Sequence, residues 1–189
     1  MSKSMGIITL TTDLGHRDFY QAALKGSILS LLPDVRLVDI SHEIPSFNIQ
    51  SAAFILQNAY HYFPKNTVHL IGIDTVFQEG SRYIAMLFNN HYFVGADNGI
   101  FSIILGEQKP DELIELEITQ DLRFLHFPLA DILVKAACHI AQGLSINDLG
   151  STIDAPLQRV TLAPILENNL IKGHVSYIDS FGNVISNIS

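Results

Sequence analysis

Acidic side chains stand at the ends of the apolar runs in the first half of the chain, where they could take part in chemistry. They are Asp13 after residues 6–12, Asp39 at the close of residues 35–40, Asp74 after residues 67–73, and Asp97 after residues 92–95. Carboxylates crowded into one crevice raise one another's pKa, so such a cluster is costly unless a cation, a ligand or hydrogen-bond donors balance it. The pattern therefore favours a site for a cationic or hydrogen-bonding ligand.

Two alternatives to a ligand site stay open for these acids. An Asp often caps the helix or turn that follows it, which is the interpretation we prefer for Asp18 and Asp131, whereas Asp13 and Asp74 favour a binding role. Acid pairs together with His42 would also suit Mg²⁺ or Mn²⁺. Because this region contains no D-x-D or H-x-E pair, we place a metal site below a ligand site and expect no metal.

Several common catalytic motifs are missing from the sequence. It contains no G-x-S-x-G, no P-loop and no G-x-G-x-x-G, which argues against serine hydrolases, P-loop proteins and dinucleotide-binding proteins. The only cysteine, Cys138, falls in the middle of a predicted helix. We expect it to be a packed thiol rather than a nucleophile.

The apolar periodicity predicts the elements that would position the acids. Short β-rich runs at residues 6–12, 35–40 and 67–73 are typical of buried strands. Between them, apolar residues recur at helical spacing over residues 18–32 and 48–63, and a proline follows each segment. Helical crossovers between short strands favour a parallel sheet covered by helices, and ligands bind beyond the carboxyl ends of such strands.

The middle of the chain no longer alternates strands and helices in the pattern of the first half. Residues 82–88 and 92–95 predict a β-hairpin. For residues 99–105 and 113–118, periodicity leaves strand and helix open. Residues 131–142 then predict a helix whose first residue, an Asp, is its N-cap.

We expect an α/β fold with an N-terminal domain at residues 1–150, built on a central, mostly parallel sheet flanked by helices. Residues 151–189 are expected to be a linker and the first strands of a smaller C-terminal β domain that is truncated at the end of the given sequence. Within it, the alternating residues 170–178 and 183–188 predict two strands joined by a short turn.

Composition narrows the functional classes. The 189 residues include 11 basic and 19 acidic side chains, giving a net charge of −8. Lys and Arg form no cluster, so we expect neither a nucleic-acid partner nor a membrane surface, whereas a cationic ligand would be attracted. No segment approaches the roughly 18 apolar residues of a membrane-spanning helix. Together with the single cysteine, this favours a cytoplasmic protein.

Segments of the chain resemble, in order, those of one enzyme family. They are ITLTTDLGHRDFYQAALKGSI, VDISHEIPSFNIQSAAFILQNAYHYFP, TVHLIGID, YFVGADNGIFS and YIDSFGNVISNI. Together they resemble the S-adenosyl-L-methionine (SAM) hydroxide adenosyltransferases, SAM hydrolases related to fluorinase and chlorinase. The resemblance implies a homotrimer that binds SAM between the N-terminal domain of one subunit and the C-terminal β domain of its neighbour. It also implies that water or hydroxide converts SAM, a substrate that needs no cofactor, to adenosine and L-methionine.

The resemblance also implies roles for particular residues. Asp13 matches the family aspartate that holds the ribose hydroxyls, and Asp74 matches the aspartate of an Asp-Arg-His set proposed to activate water. Asp179, Phe181 and Asn183 match the C-terminal stretch that meets adenine and the methionine end of SAM. An aromatic ring and an amide suit stacking on a purine and hydrogen bonding to its edge.

The Arg and His of that set depart from the family pattern in this chain. Where the family places its Arg, this chain has Ser81, and Arg82 comes one place later. Where the family reads FHGRD, residues 127–131 read FPLAD, and His126 lies just upstream. We therefore predict a water-activating set of Asp74, Arg82 and His126.

Three other functions stay open from the sequence. The departures in the Arg and His positions would suit a SAM- or adenosine-binding protein that has lost turnover. The acids at the strand ends would suit a divalent-metal phosphohydrolase. A halogenase, which uses halide in place of water, is the remaining alternative that the resemblance implies.

Overall fold

The computed structural model describes residues 6–76, 80–124, 127–159 and 164–188. The strands within these ranges are β1 (Ile7–Thr12), β2 (Arg36–Ser41), β3 (Val68–Gly72), β4 (Tyr83–Phe88), β5 (His91–Ala96), β6 (Glu112–Leu116), β7 (Gly150–Thr152), β8 (Ile165–Glu167), β9 (Leu170–Lys172), β10 (Val175–Ile178) and β11 (Val184–Ser186). The α-helices are α1 (Tyr20–Leu31), α2 (Ile49–Ala59), α3 (Ile100–Leu105) and α4 (Ile132–Ala141). Short 3₁₀ helices cover Tyr60–Tyr62, Leu122–Phe124, Pro128–Ala130 and Ile146–Leu149.

A seven-stranded sheet with the order β2-β1-β3-β5-β4-β6-β7 forms the centre of the N-terminal region. Strands β2, β1, β3 and β5 are parallel, while β4, β6 and β7 join through antiparallel pairs. The predicted α/β class with a mostly parallel sheet core is confirmed. The carboxyl ends of the parallel strands and the amino end of β4 lie along one edge of the sheet, here called the strand-end edge.

Helices cover both faces of the sheet because its central strands are apolar on both sides. Leu10 of β1 packs in one cluster with Leu24 and Ile28 of α1, and α4 contributes to the same cluster. On the other face, Ile71 of β3 packs in a cluster with Leu56 of α2 and with residues of α3. Burying a Leu or Ile side chain of this kind contributes about 1.5–3 kcal/mol. The packed sheet is therefore a rigid base for the strand-end edge.

The side chains before two helices differ in whether they cap the helix. Asn48, the first residue of the predicted second helix, caps α2, because its Oδ1 accepts a hydrogen bond from Ser51 N at 2.9 Å. Asp131 occupies the predicted N-cap position of α4, but its side chain makes no capping hydrogen bond, so the capping role expected for its carboxylate is wrong. Its carboxylate instead accepts from Asp121 N at 2.8 Å and pairs with Lys135 Nζ at 2.5 Å. A backbone donor outside the helix and a lysine in its first turns therefore occupy the carboxylate that would have capped α4.

The two segments for which periodicity could not separate strand from helix have different structures. Residues 99–105 contain α3, which begins after Gly99, and residues 113–118 contribute to β6. Gly99 has a φ of 100°, a left-handed conformation that glycine adopts without a Cβ clash. The chain can therefore turn sharply between β5 and α3.

The C-terminal residues form two small hairpins, β8–β9 and β10–β11. The single strand predicted at residues 170–178 is wrong, because Gly173 and His174 separate β9 from β10. A Cβ at Gly173 would approach Ile188 Cγ1 to 2.5 Å, and Asn187 Oδ1 accepts from His174 N at 2.8 Å. The strand is therefore interrupted where Gly173 packs closely against the C-terminal residues. The predicted domain boundary at residue 150 stays a prediction. Strand β7, which begins at that residue, still pairs with the main sheet.

Candidate functional site at the strand ends

A small cavity opens at the strand-end edge where β3, β4 and β5 meet. Its volume is about 120 Å³, and it is lined by Asp74, Val76, Ser81, Arg82, Tyr83, Ala96, Asp97 and Asn98. Asp74 follows β3, Arg82 precedes β4, and Asp97 follows β5. Because β4 runs antiparallel to β5, its first residues lie beside the last residues of the parallel strands. The topology thus brings Asp74 and Arg82 into one cavity wall.

Arg82 is held by a buried carboxylate. Its Nε donates to Oδ2 of Asp97 at 2.8 Å, and its Nη2 donates to the same oxygen. The Asp97 side chain is 1% exposed, and its Oδ1 accepts from Leu157 N at 2.8 Å. A longer contact of 3.5 Å joins Arg82 Nη1 to Glu115 Oε2. The guanidinium is therefore a cation of fixed orientation in the wall that also contains Asp74.

The backbone on both sides of Asp74 is tied to neighbouring strands. Asn98 Nδ2 donates to Ile73 O at 2.9 Å, and the Tyr83 hydroxyl donates to Thr75 O at 3.1 Å. Burial raises the pKa of Tyr83 to about 12, so this hydroxyl keeps its proton. Asp74 itself has a φ of 46°, in the left-handed region that Asp tolerates better than most residues. Its carboxylate is thus presented from a constrained turn.

Asp13 lies one strand away from Asp74. Its N–H donates to Gly72 O at the end of β3, at 3.4 Å. Its Oδ2 accepts from Phe47 N at 2.9 Å. In the described part of the chain, no second donor contacts this carboxylate. Asp13 is not among the residues that line the 120 Å³ cavity, so the two acids are neighbours at one edge but belong to different parts of it.

The predicted C-terminal site residues lie together in the turn between β10 and β11. The Asp179 carboxylate accepts from Phe181 N at 2.9 Å, from Asn183 N at 2.8 Å and from Asn183 Nδ2 at 2.6 Å. The Asn183 side-chain hydrogen bond is the main reason that the pKa of Asp179 is lowered. The Phe181 side chain is 89% exposed. None of the three lines the cavity at Asp74.

The remaining predicted catalytic residue, His126, lies outside the described residues. The sequence placed Asp97 among the strand-end acids but gave it no role in the site, and it did not single out Asn98. The sequence signal that could have identified them is their position directly after strand β5, just as Asp13 directly follows strand β1. Tyr83 gave no such signal, because a tyrosine at the start of an apolar strand is ordinary core composition.

Metal ligation finds no support in the described geometry. Across residues 6–76, 80–124, 127–159 and 164–188, no group of three or more His, Cys, Asp or Glu side chains could hold a metal ion. Cys138 is buried, which raises the pKa of its thiol to about 11. The prediction of a packed thiol is confirmed. Of the helices that the structure describes, none is long and apolar enough to cross a membrane.

The fold and this edge define a class: an α/β protein that presents carboxylates and a fixed guanidinium beyond parallel strands, where small polar ligands bind. A family model described as the SAM hydroxide adenosyltransferase N-terminal domain matches residues 8–150. The chain belongs to this SAM hydroxide adenosyltransferase family, as its sequence motifs indicated.

Similar proteins agree with that assignment. The chain is 33% identical to an (R)-S-adenosyl-L-methionine hydrolase of Methanocaldococcus jannaschii, over 97% of this chain and 67% of that protein. It is 21% identical to a fluorinase of an Actinoplanes species, over 96% of this chain and 71% of that protein. The crystal structure of an uncharacterised conserved protein from Thermotoga maritima has a TM-score of 0.85 and 30% identity, over 96% of this chain and 71% of that one.

Proposed function

We propose that this protein hydrolyses S-adenosyl-L-methionine to adenosine and L-methionine. The observation that carries the proposal is the Asp74–Arg82 cavity at the strand-end edge of a chain in this family. The sulfonium sulfur of SAM is a pyramidal stereocentre, and the M. jannaschii relative is named for the R configuration. We extend the proposal to SAM with R configuration at sulfur as the substrate.

The reaction is an in-line displacement at the 5′ carbon of the ribose. A bond forms from the water oxygen to C5′ while the C5′–S bond breaks, and its electron pair goes to sulfur. Methionine leaves as a neutral thioether, so no general acid is needed. The water loses one proton, and the site must align oxygen, carbon and sulfur.

Asp74 is the residue we assign to the proton of the attacking water. Its carboxylate shares a cavity wall with the oriented guanidinium of Arg82, whose positive field stabilises a developing hydroxide. A base and a cation on the same wall can together take the proton and hold the resulting charge. His126, which lies outside the described residues, is the third member of the set that we propose.

The remaining predicted residues are assigned to binding. Asp13 would accept hydrogen bonds from the ribose hydroxyls, and a carboxylate with one oxygen already fixed by Phe47 N is suited to this. Asp179, Phe181 and Asn183 would meet adenine and the methionine end. Because Phe181 is 89% exposed and the turn does not reach the Asp74 cavity, we propose that the turn acts on a neighbouring subunit of a homotrimer. We further propose a cytoplasmic enzyme that requires no cofactor.

The test follows both products in labelled water. Purified protein is incubated with SAM of R or S sulfur configuration in H₂¹⁸O, and adenosine and methionine are quantified by chromatography and mass spectrometry. We expect equal amounts of both products, ¹⁸O in the adenosine 5′-hydroxyl, faster turnover of the R form, and no effect of EDTA.

Other outcomes separate the alternatives. Adenosine binding without product would identify a protein that has lost turnover. A 5′-halogenated adenosine in the presence of chloride or fluoride would identify a halogenase. Loss of activity in EDTA, restored by Mg²⁺ or Mn²⁺, would instead require a metal-dependent reaction.

A further inference from the structure

A buried histidine connects the ends of β1 and β2. His42 Nδ1 lies 2.6 Å from Thr12 Oγ1, and His42 Nε2 lies 3.1 Å from Asp39 Oδ1. Lys25 Nζ donates to Asp39 Oδ2 at 2.6 Å. His42 and Thr12 are 1% and 0% exposed. A chain of polar contacts therefore runs from a lysine at the surface to the last residue of β1.

The surroundings of His42 determine which ring nitrogen carries the proton. Burial lowers the pKa of His42 despite the opposing effect of Asp39, so the ring is neutral near pH 7. The Asp39 carboxylate beside Nε2 favours the N–H on that nitrogen, although the contact does not meet the criteria of a hydrogen bond. In that tautomer Nδ1 has a lone pair and accepts a hydrogen bond from the Thr12 hydroxyl. The Thr12 oxygen in turn accepts from Leu14 N at 3.4 Å.

His42 also holds the other end of the turn that follows β1. Its backbone O accepts from Gly15 N at 2.8 Å. Gly15 has a φ of 64°, so the chain reverses there. Asp13 therefore lies between two contacts with one residue: a side-chain contact at Thr12 and a backbone contact at Gly15.

We propose that His42, through its side-chain contact with Thr12 and its backbone contact with Gly15, is a positioning residue that holds the turn from Thr12 to Gly15 so that the Asp13 carboxylate is oriented toward the ribose hydroxyls of the substrate. The inference rests on the proposed function, because it takes the ribose-binding role of Asp13 from there. His42 itself is too deeply buried to touch the substrate, so it acts only through Asp13.

Thr12→Val tests the inference with little change of shape, since it replaces the hydroxyl with a methyl group of similar size. Strand β1 supplies a matched control, because Thr9, three residues before Thr12, makes an equivalent buried contact of 2.7 Å from its Oγ1 to His69 Nδ1. Thr9→Val should cost similar folding stability, yet it leaves the turn at Asp13 untouched. Thr12→Ser keeps the hydroxyl and should restore wild-type behaviour.

The readout is the affinity for adenosine compared with 2′-deoxyadenosine, measured by calorimetry, together with kcat and KM for SAM. We expect Thr12→Val to weaken adenosine binding and raise KM about tenfold, with 2′-deoxyadenosine less affected and kcat nearly unchanged. His42→Gln, which leaves no acceptor at the Nδ1 position, should behave in the same way. His42→Asn, whose amide oxygen replaces Nδ1, should lose less.

Several results would overturn the inference. Equal weakening of adenosine and 2′-deoxyadenosine, or the same KM change in Thr9→Val, would leave Thr12 and His42 with a structural role alone. If Thr12→Val does not fold, Asp39→Asn carries the test, because its side chain is 39% exposed and the same loss of ribose preference is expected. A wild-type protein that neither hydrolyses SAM nor binds adenosine would refute the proposed function instead.

Discussion

Two nitrogens of Arg82 donate to one oxygen of Asp97, and the other oxygen of that carboxylate accepts the backbone N–H of Leu157. The Asp97 side chain is 1% exposed, so water does not compete for it. A charged pair of this kind fixes orientation as well as contributing energy. The direction in which the Arg82 guanidinium faces the Asp74 cavity is therefore fixed by Asp97, the residue that directly follows the neighbouring strand β5.

Asp97→Asn should uncouple Arg82 from that support. The amide oxygen can still accept from Leu157 N, but the negative charge that holds the guanidinium is lost. We expect kcat for SAM hydrolysis to fall by about 10–100-fold with a smaller change in KM, because a misplaced cation no longer stabilises the developing hydroxide. Adenosine release at a series of SAM concentrations measures both constants.

Glu115→Gln is the matched control for that variant. Glu115 also contacts Arg82, but at 3.5 Å and with a side chain that is 42% exposed. An exposed pair of this length contributes little, so kcat should stay within about twofold of wild type. Equal kcat values for Asp97→Asn and Glu115→Gln would show that the orientation of Arg82 does not matter for the reaction.

Asp74→Asn should separate proton transfer from binding. Asn adopts the left-handed backbone at this position, where φ is 46°, about as readily as Asp. The variant should therefore keep the fold and lose only the base, lowering kcat about 100-fold or more with KM within about threefold. Steady-state kinetics and calorimetry with adenosine give the two quantities. A rise in KM as large as the fall in kcat would assign Asp74 to substrate binding.

The sequence predicts the strand-end edge well, because its signals are local. Apolar runs followed by Asp13 and Asp74 need only the alternation of strand and helix to be placed on one edge. The link between Arg82 and Asp97 is different, since the two residues are 15 positions apart and meet only through the antiparallel register of β4 and β5. No composition or spacing rule reports that register.

The errors of the sequence analysis have a common physical cause. Asp131 stands at the predicted start of α4, but the main-chain N–H of Asp121 and the Lys135 side chain compete for its carboxylate. Gly173 interrupts a pattern that reads as one strand because Asn187 and Ile188 pack against it. In both cases a tertiary contact decides an outcome that the local preference leaves balanced.

Phe181→Ala should separate a binding role from a folding role. The ring is 89% exposed, so its removal should leave the melting temperature unchanged. If the ring stacks on adenine in a neighbouring subunit, KM for SAM should rise about tenfold, as expected for the loss of one base–aromatic stack. Tyr62→Ala removes another ring, 82% exposed, and should change neither quantity. Thermal unfolding and steady-state kinetics on both variants measure the two quantities. An unchanged KM in Phe181→Ala would show that the turn between β10 and β11 does not bind the substrate.

The core of the sheet contains a pair of histidines that should make folding sensitive to acid. His69 is 0% exposed and lies between Thr9 Oγ1 at 2.7 Å and His91 Nδ1 at 3.1 Å. Burial lowers the pKa of His69 to about 3, and the nearby His91 ring adds to this effect. The pKa of His91 is also lowered, chiefly by burial. Neither ring can take up a proton cheaply in the folded state.

His69→Gln should therefore flatten the dependence of stability on pH. In the unfolded chain His69 has a pKa near 6.5, against about 3 when folded, so between these values protons bind mainly to the unfolded state. The free energy of unfolding should fall as pH falls from 6.5 toward 3, by up to about 1.4 kcal/mol per pH unit for one group. Urea unfolding of wild type and variant at pH values across this range measures the slope, with the exposed His174→Gln as control. Parallel curves for wild type and His69→Gln would show that acid lability originates elsewhere, because only the variant lacks the buried ring that resists protonation.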